Sequence, residues 1–258
     1  NMWYQVKAYL KFLLRSTNQH GVHSPFVYDL VTKCFYDKTS YEDYSKLINY
    51  KKKLLNNQEQ IKINDLGAGS RVKKGNKRSV SSIAKNSGTT LKRAKLIYRL
   101  VKYFNPKSIL ELGTSLGIGT QAMSLGNPKA TIRTIEGCFN ISKFSKKQFE
   151  DQNLTNIKFI NNDFANAIDY LGDTTFDFLF FDGNHQKEAT LNYFEMLLPT
   201  ASNNSVFIFD DIYWSKGMTE AWETIKLHPK VTVTIDTFFW GFVFFRKEQE
   251  KEHFTIRT

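Results

Sequence analysis

Residues 108–137 read SILELGTSLGIGTQAMSLGNPKATIRTIEG, and the order of residue types within them decides the fold. Ser108 to Leu112 make a short apolar run of the kind that forms a β-strand. Gly113 to Gly119 follow as a glycine-rich turn, in which the backbone can approach a ligand closely. A helix-compatible stretch comes next, then a β-branched run from Thr131 to Ile135 closed by Glu136. Strand, glycine turn, helix and strand make one βαβ unit, built to hold a nucleotide-like ligand. The helix start after Gly117 offers unpaired N–H groups, and Glu136 at the next strand's tip can accept two ribose hydroxyls.

Glycine spacing separates two ligand classes. A dinucleotide site wants G-x-G-x-x-G, with a pyrophosphate on the helix N-terminus. Here the turn reads Glu111-Leu-Gly113-Thr-Ser-Leu-Gly117. This E-x-G-x-x-x-G resembles motif I of the class I S-adenosylmethionine-dependent methyltransferases. The resemblance implies S-adenosyl-L-methionine as cofactor, with Glu111, Gly113, Thr114, Ser115 and Gly117 around its methionine part and Glu136 and Gly137 at its ribose. It also implies that Asp163, ending the next strand run IKFINND, accepts a hydrogen bond from the adenine amino group, with Phe164 beside the ring.

The rest of residues 89–247 continues the pattern. Thr89 or Thr90 can cap a helix whose apolar face is Leu91, Ala94, Ile97, Leu100, Val101 and Phe104, with Pro106 just past its end. FDFLFFDG at 176–183 is a strongly apolar strand ending at Asp182. SVFIFDD ends at Asp210 and Asp211, and VTVTIDTFFWGFVFFRK supplies two β runs meeting at Trp240-Gly241. Five strand–helix repeats closed by a hairpin resemble the doubly wound, seven-stranded Rossmann-like methyltransferase sheet with an antiparallel last strand. The expected division is residues 1–88 as an N-terminal helical extension capping the acceptor pocket, and 89–258 as the cofactor-binding domain.

Within the extension, MWYQVKAYLKFLLR at 2–15 is an amphipathic helix with Lys7, Lys11 and Arg15 among its apolar residues. Such a helix either docks on its own domain or lies on a membrane, and docking is the preferred expectation. His20 and His23 sit in a turn with nothing to place them near chemistry, and residues 37–60 read as a surface helix or linker. INDLGAGS at 63–70 imitates a cofactor turn, but no amphipathic helix or acid-ended strand follows, so it is rejected. The basic run Arg71, Lys73, Lys74, Lys77 and Arg78 after it suits an exposed or active-site-covering loop.

Composition bounds the setting. The chain has 258 residues, two cysteines without metal-ligand spacing, and a formal charge of +11, which favours anionic partners. No apolar run reaches the length of about 20 residues that a membrane span needs. A cytoplasmic location is the expectation, with a homodimer left open.

Carboxyl ends of parallel strands open on one edge of a sheet, so Asp182, Asp210 and Asp211 are expected to converge. Clustered carboxylates repel unless a cation intervenes, and Mg²⁺ or another divalent ion suits an all-oxygen set. The arrangement resembles the metal site of the cation-dependent O-methyltransferases, of the catechol and caffeoyl-CoA type and, through its Asp-Asp pair, of the sugar-modifying macrolide and aminocoumarin type. His185, three residues beyond Asp182, is the candidate general base, with Asp182 as its catalytic neighbour. Tyr213 and Trp214 are candidate walls for the acceptor. The implied activity is O-methylation of a small hydroxylated acceptor with metal assistance. RNA methylation and a non-catalytic binding module remain the alternatives.

Overall fold

The computed structural model describes residues 2–63 and 77–258. In chain order the helices and strands begin with α1 (Met2–Arg15), α2 (Pro25–Leu30), α3 (Tyr44–Leu55), β1 (Gln60–Lys62), β2 (Lys77–Ser79) and α4 (Val80–Asn86). The central run is α5 (Leu91–Phe104), β3 (Ser108–Leu112), α6 (Ile118–Gly126), β4 (Thr131–Ile135), α7 (Phe139–Glu150), β5 (Ile157–Ile160) and α8 (Phe164–Asp169). It ends with β6 (Phe176–Phe181), α9 (Lys187–Leu197), β7 (Ala201–Asp210), α10 (Lys216–Leu227), β8 (Val233–Asp236), β9 (Trp240–Phe244) and β10 (Glu252–Thr255). The imitation cofactor turn and most of the basic run after it lie outside the described residues; Lys77 and Arg78 fall in β2.

Two compact units make up the chain: Asp37–Tyr170, and Asn1–Tyr36 with Leu171–Thr258. In the first, β3, β4 and β5 run parallel, with Glu111 opposite Thr134 and Ile135 opposite both Leu112 and Ile160. Their helices start and stop where local chemistry dictates. The Thr90 side chain accepts from Arg93 N at the start of α5; Asn105 takes the left-handed conformation at its end, and Pro106 prevents continuation. β1 and β2 pair as a separate antiparallel ribbon.

In the second unit β6 and β7 are parallel, β9 runs antiparallel between β7 and β8, and β10 pairs parallel with β8. The antiparallel hairpin strand is therefore present as expected, and β10 is an addition beyond the expected seven. Thr17 donates its N–H to Thr255 and accepts from Arg257 N, which ties the segment after α1 to β10. The core is aromatic: Phe181 stacks on Phe209 with centroids 4.2 Å apart, and Phe180 meets Trp240 edge to face at 5.4 Å. α10 lays the fully buried Trp222 across β9 at Gly241, where any Cβ would sit 2.6 Å from the indole. Gly241→Ala should therefore cost about 1–3 kcal/mol through overpacking, read as a lower midpoint in urea unfolding. A midpoint equal to wild type would show that Trp222 moves aside freely.

Candidate functional site

The glycine turn between β3 and α6 is held from beneath. Glu111 is 1% exposed, and its Oε2 accepts hydrogen bonds from Thr120 (2.5 Å, on α6) and Thr134 (2.7 Å, on β4). Thr134 has given its proton to Glu111, so the Thr114 hydroxyl, 2.5 Å away in the turn itself, must be the donor to Thr134. Burial pushes the Glu111 carboxyl up to about 7, the two threonine hydroxyls oppose that rise, and Glu136 adds to it. Thr114 thus points its hydroxyl inward to the protein.

The turn's backbone follows from its residues. Gly113 and Gly117 have φ of 102° and 79°, where only glycine is unstrained, and a Cβ on Gly117 would lie 2.4 Å from the Phe149 ring. Ser115 sits at φ 48° and gives its N–H to Glu136 Oε2 at 2.9 Å, while Cys138 N donates to Oε1 at 2.9 Å. Glu136 is therefore fixed at the β4 tip by an N–H on each of its two oxygens. Asn161 clamps the carbonyls of Glu136 and Gly137 through its amide, at 2.7 and 3.3 Å.

Three further supports were not read from the sequence. Tyr50 of α3 is buried and donates its hydroxyl to the Leu116 carbonyl at 2.6 Å, and Ser145 of α7 donates to the Ser115 carbonyl at 2.7 Å. Asn161 is the third. The signal for Tyr50 was available, since Tyr44, Leu47, Tyr50 and Leu54 recur at helical spacing and all are buried, so α3 is not merely a surface helix. Asp163 caps α8, accepting from Asn166 N and from the Asn166 amide, and these bonds hold its carboxyl below the usual range. Phe164 beside it is half-buried.

In the other unit, ligand atoms of Asp182, His185 and Asp210 lie within 4.8 Å of one another. Asp182 and His185 are about a quarter exposed and 3.9 Å apart, beyond hydrogen-bond range. Asp210 is buried, and its Oδ1 accepts from Trp240 Nε1 at 2.6 Å. Asp211, expected with them, is outside this group. It takes φ 53° in the turn after β7, donates its N–H to Phe239 and accepts from Trp214 N. Two carboxylates and one imidazole form a mixed oxygen–nitrogen donor set, which fits a divalent transition ion such as Mn²⁺ or Zn²⁺ better than Mg²⁺. Trp214 is half exposed with its ring 6.3 Å from that of His185. Tyr213 instead turns inward, stacking on Phe238 and donating to Asp236 while accepting from Arg15. Lys187 is paired with Glu220 at 3.0 Å, which raises its pKa and keeps it from serving as a base at neutral pH.

Glu111 generates a pH prediction. Its folded-state pKa lies above its ordinary value of 4.5, so between pH 4.5 and about 7 the unfolded chain ionises while the folded one keeps its proton. Stability from this group is therefore undiminished below pH 4.5 and falls by about 3 kcal/mol as pH rises through 7. Glu111→Gln should match wild type near pH 4.5 and exceed it at pH 8 in urea unfolding. Parallel pH profiles for the two proteins would refute the assignment.

Residues 110–212 match the model of a methyltransferase-domain family. No curated protein matches the chain. Among solved structures, an S-adenosylhomocysteine-bound methyltransferase of Podospora anserina is 15% identical with a TM-score of 0.63, covering 88% of this chain and 97% of its own. An O-methyltransferase of Bacillus cereus in complex with S-adenosylhomocysteine is 16% identical with a TM-score of 0.56, covering 83% and 95%. The O-methyltransferase TomG of Streptomyces achromogenes, involved in tomaymycin synthesis and solved with S-adenosylmethionine, is 14% identical with a TM-score of 0.56, covering 84% and 95%. These likenesses show the fold. The family match runs from β3 to β7, the part of the chain that carries the glycine turn, Glu136, Asp182 and Asp210.

Proposed function

We propose that the protein transfers the methyl group of S-adenosyl-L-methionine to a hydroxyl oxygen of a small acceptor. The observation that carries this reading is Glu136, a carboxylate fixed at the β4 tip beside the glycine turn by the N–H groups of Ser115 and Cys138. A pair of ribose hydroxyls matches that carboxylate. The glycine turn would supply backbone at close approach for the methionine part, and Gly137, Asp163 and Phe164 would border the adenosine. Glu111 and Thr114 support the turn from within. The S-adenosylmethionine and S-adenosylhomocysteine held by neighbours of the same fold support the cofactor, and the names of two of them support oxygen as the acceptor atom.

Asp182, His185 and Asp210 would hold a divalent cation. When bound, such an ion supplies Lewis acidity that lowers the pKa of an acceptor hydroxyl. Asp182 and His185 are the partly exposed members of this group, and Asp210 is oriented by Trp240. Without an ion, His185 is the group placed to take the hydroxyl proton itself. The first 88 residues would contribute to acceptor selection.

Calorimetric titration tests both parts. S-adenosylhomocysteine should bind wild type and bind Glu136→Ala at least about tenfold more weakly, because charge-assisted ribose hydrogen bonds are lost. Mn²⁺ should give a binding heat that Asp182→Ala removes; Asp182 is the better target because Asp210 also anchors Trp240. Absence of any S-adenosylhomocysteine binding by wild type would overturn the cofactor assignment. Binding without a Mn²⁺ heat would overturn the metal and leave His185 as the base.

A further inference from the structure

α1 docks by one face only. It buries Ala8 and Phe12, with Phe12 and Tyr9 against Phe238 at 5.5 and 4.8 Å. The opposite face is apolar and open to solvent: Trp3, Val6, Leu10 and Leu14 are 77%, 46%, 56% and 88% exposed. Their spacing of three and four residues sets them in one continuous stripe along the helix. Ordinary surface helices place charge there, so a stripe of this kind needs a cover.

Along one edge of the stripe run Lys7, Lys11 and Arg15, spaced by four, and α1 carries no acidic residue. These three line an open cavity of about 420 Å³ together with Tyr4, Tyr213 and Glu223. The single acid there is already paired with Lys226 at 2.7 Å, and Arg15 is steadied by its bond to Tyr213 at 3.1 Å. Lys7 and Lys11 have no ion-pair partner among the described residues. The cavity therefore presents unmatched positive charge directly beside exposed apolar side chains.

From this juxtaposition we infer that α1 is a membrane-surface helix that seats on an anionic lipid bilayer. Trp3, Val6, Leu10 and Leu14 enter the boundary between headgroups and acyl chains, and Lys7, Lys11 and Arg15 take headgroup phosphates at the cavity. No described helix is long and apolar enough to cross a membrane, so the contact is peripheral. A second copy of the chain fits less well, because every charge on α1 is positive and the row of cations calls for an anionic partner. The inference is independent of the cofactor and metal assignments.

The test is vesicle flotation of the full chain. It should float with phosphatidylcholine vesicles containing phosphatidylglycerol, remain behind with phosphatidylcholine alone, and be released by salt. Two double variants, Leu10→Ser with Leu14→Ser and Lys7→Glu with Lys11→Glu, should each reduce the bound fraction at least about tenfold at an unchanged thermal midpoint. Equal flotation of wild type and both variants, or none of wild type at low salt, would overturn the inference. So would a dimer in sedimentation velocity that Leu10→Ser with Leu14→Ser disperses while no vesicle binding occurs, which would assign the face to a second copy. Binding of soluble glycerol phosphate without flotation would overturn it in favour of a free anion.

Discussion

A carboxyl group shut away from water governs how the glycine turn is presented. Glu111 joins three elements: its own strand β3, the neighbouring strand β4 through Thr134, and helix α6 through Thr120. Thr114 extends the same chain of hydroxyls into the turn. A buried carboxyl is costly unless it is hydrogen-bonded, and desolvation is largest here, so the neutral acid is favoured. That cost is accepted for geometry. With Glu111 in place, Gly119 has little room for a side chain, since a Cβ would meet Oε1 at 3.0 Å. The turn is then shaped from below by Glu111, from the side by Phe149 at Gly117, and from above by Tyr50 and Ser145 on its carbonyls. What remains for a ligand is backbone and the Glu136 carboxylate.

Much of this was legible in residues 108–137. The βαβ order, the turn and the acid at the β4 tip all followed from local patterning, because each depends on neighbours within the same thirty residues. Glu111 shows that closeness in sequence does not fix a side chain's direction. As the first letter of a cofactor motif it invites a ligand contact, yet its partners Thr120 and Thr134 lie 9 and 23 residues away and take up its oxygen. Tyr50 is a sharper case. Its partner Leu116 is 66 residues distant, and nothing in a single sequence couples the two. β10 escaped for a similar reason: a four-residue edge strand of polar composition gains its identity only by pairing with β8.

The acidic group shows the same division at finer scale. Strand ends predicted that Asp182 and Asp210 meet, and they do. The choice between Asp211 and His185 as third member depended on which way the chain turns after β7. Asp211 at φ 53° turns its backbone toward Phe239, whereas the segment after β6 carries His185 back to the pair. Replacing a carboxylate by an imidazole lowers the negative charge of the group and changes which cations suit it. The structural difference is one residue, and it makes the donor set mixed oxygen and nitrogen rather than all oxygen.

Net charge by itself would have pointed to the wrong half of the chain for a charged partner. Residues 37–170 contain 24 Lys and Arg against 11 Asp and Glu, while residues 1–36 with 171–258 contain 12 against 14. The whole basic excess therefore lies with the glycine turn. Many of those cations are used within the fold: Lys51 donates to the Ala84 and Thr89 carbonyls, Lys46 pairs with Asp43, and Lys95 and Lys102 sit over the rings of Tyr44 and Tyr41. A solvated basic surface of this kind attracts anions without selecting among them. α1 differs in kind because its three cations border an apolar stripe, and charge beside exposed hydrocarbon narrows the partner from any polyanion to one that also offers an apolar phase. The weakly charged half of the molecule thus carries the more specific surface.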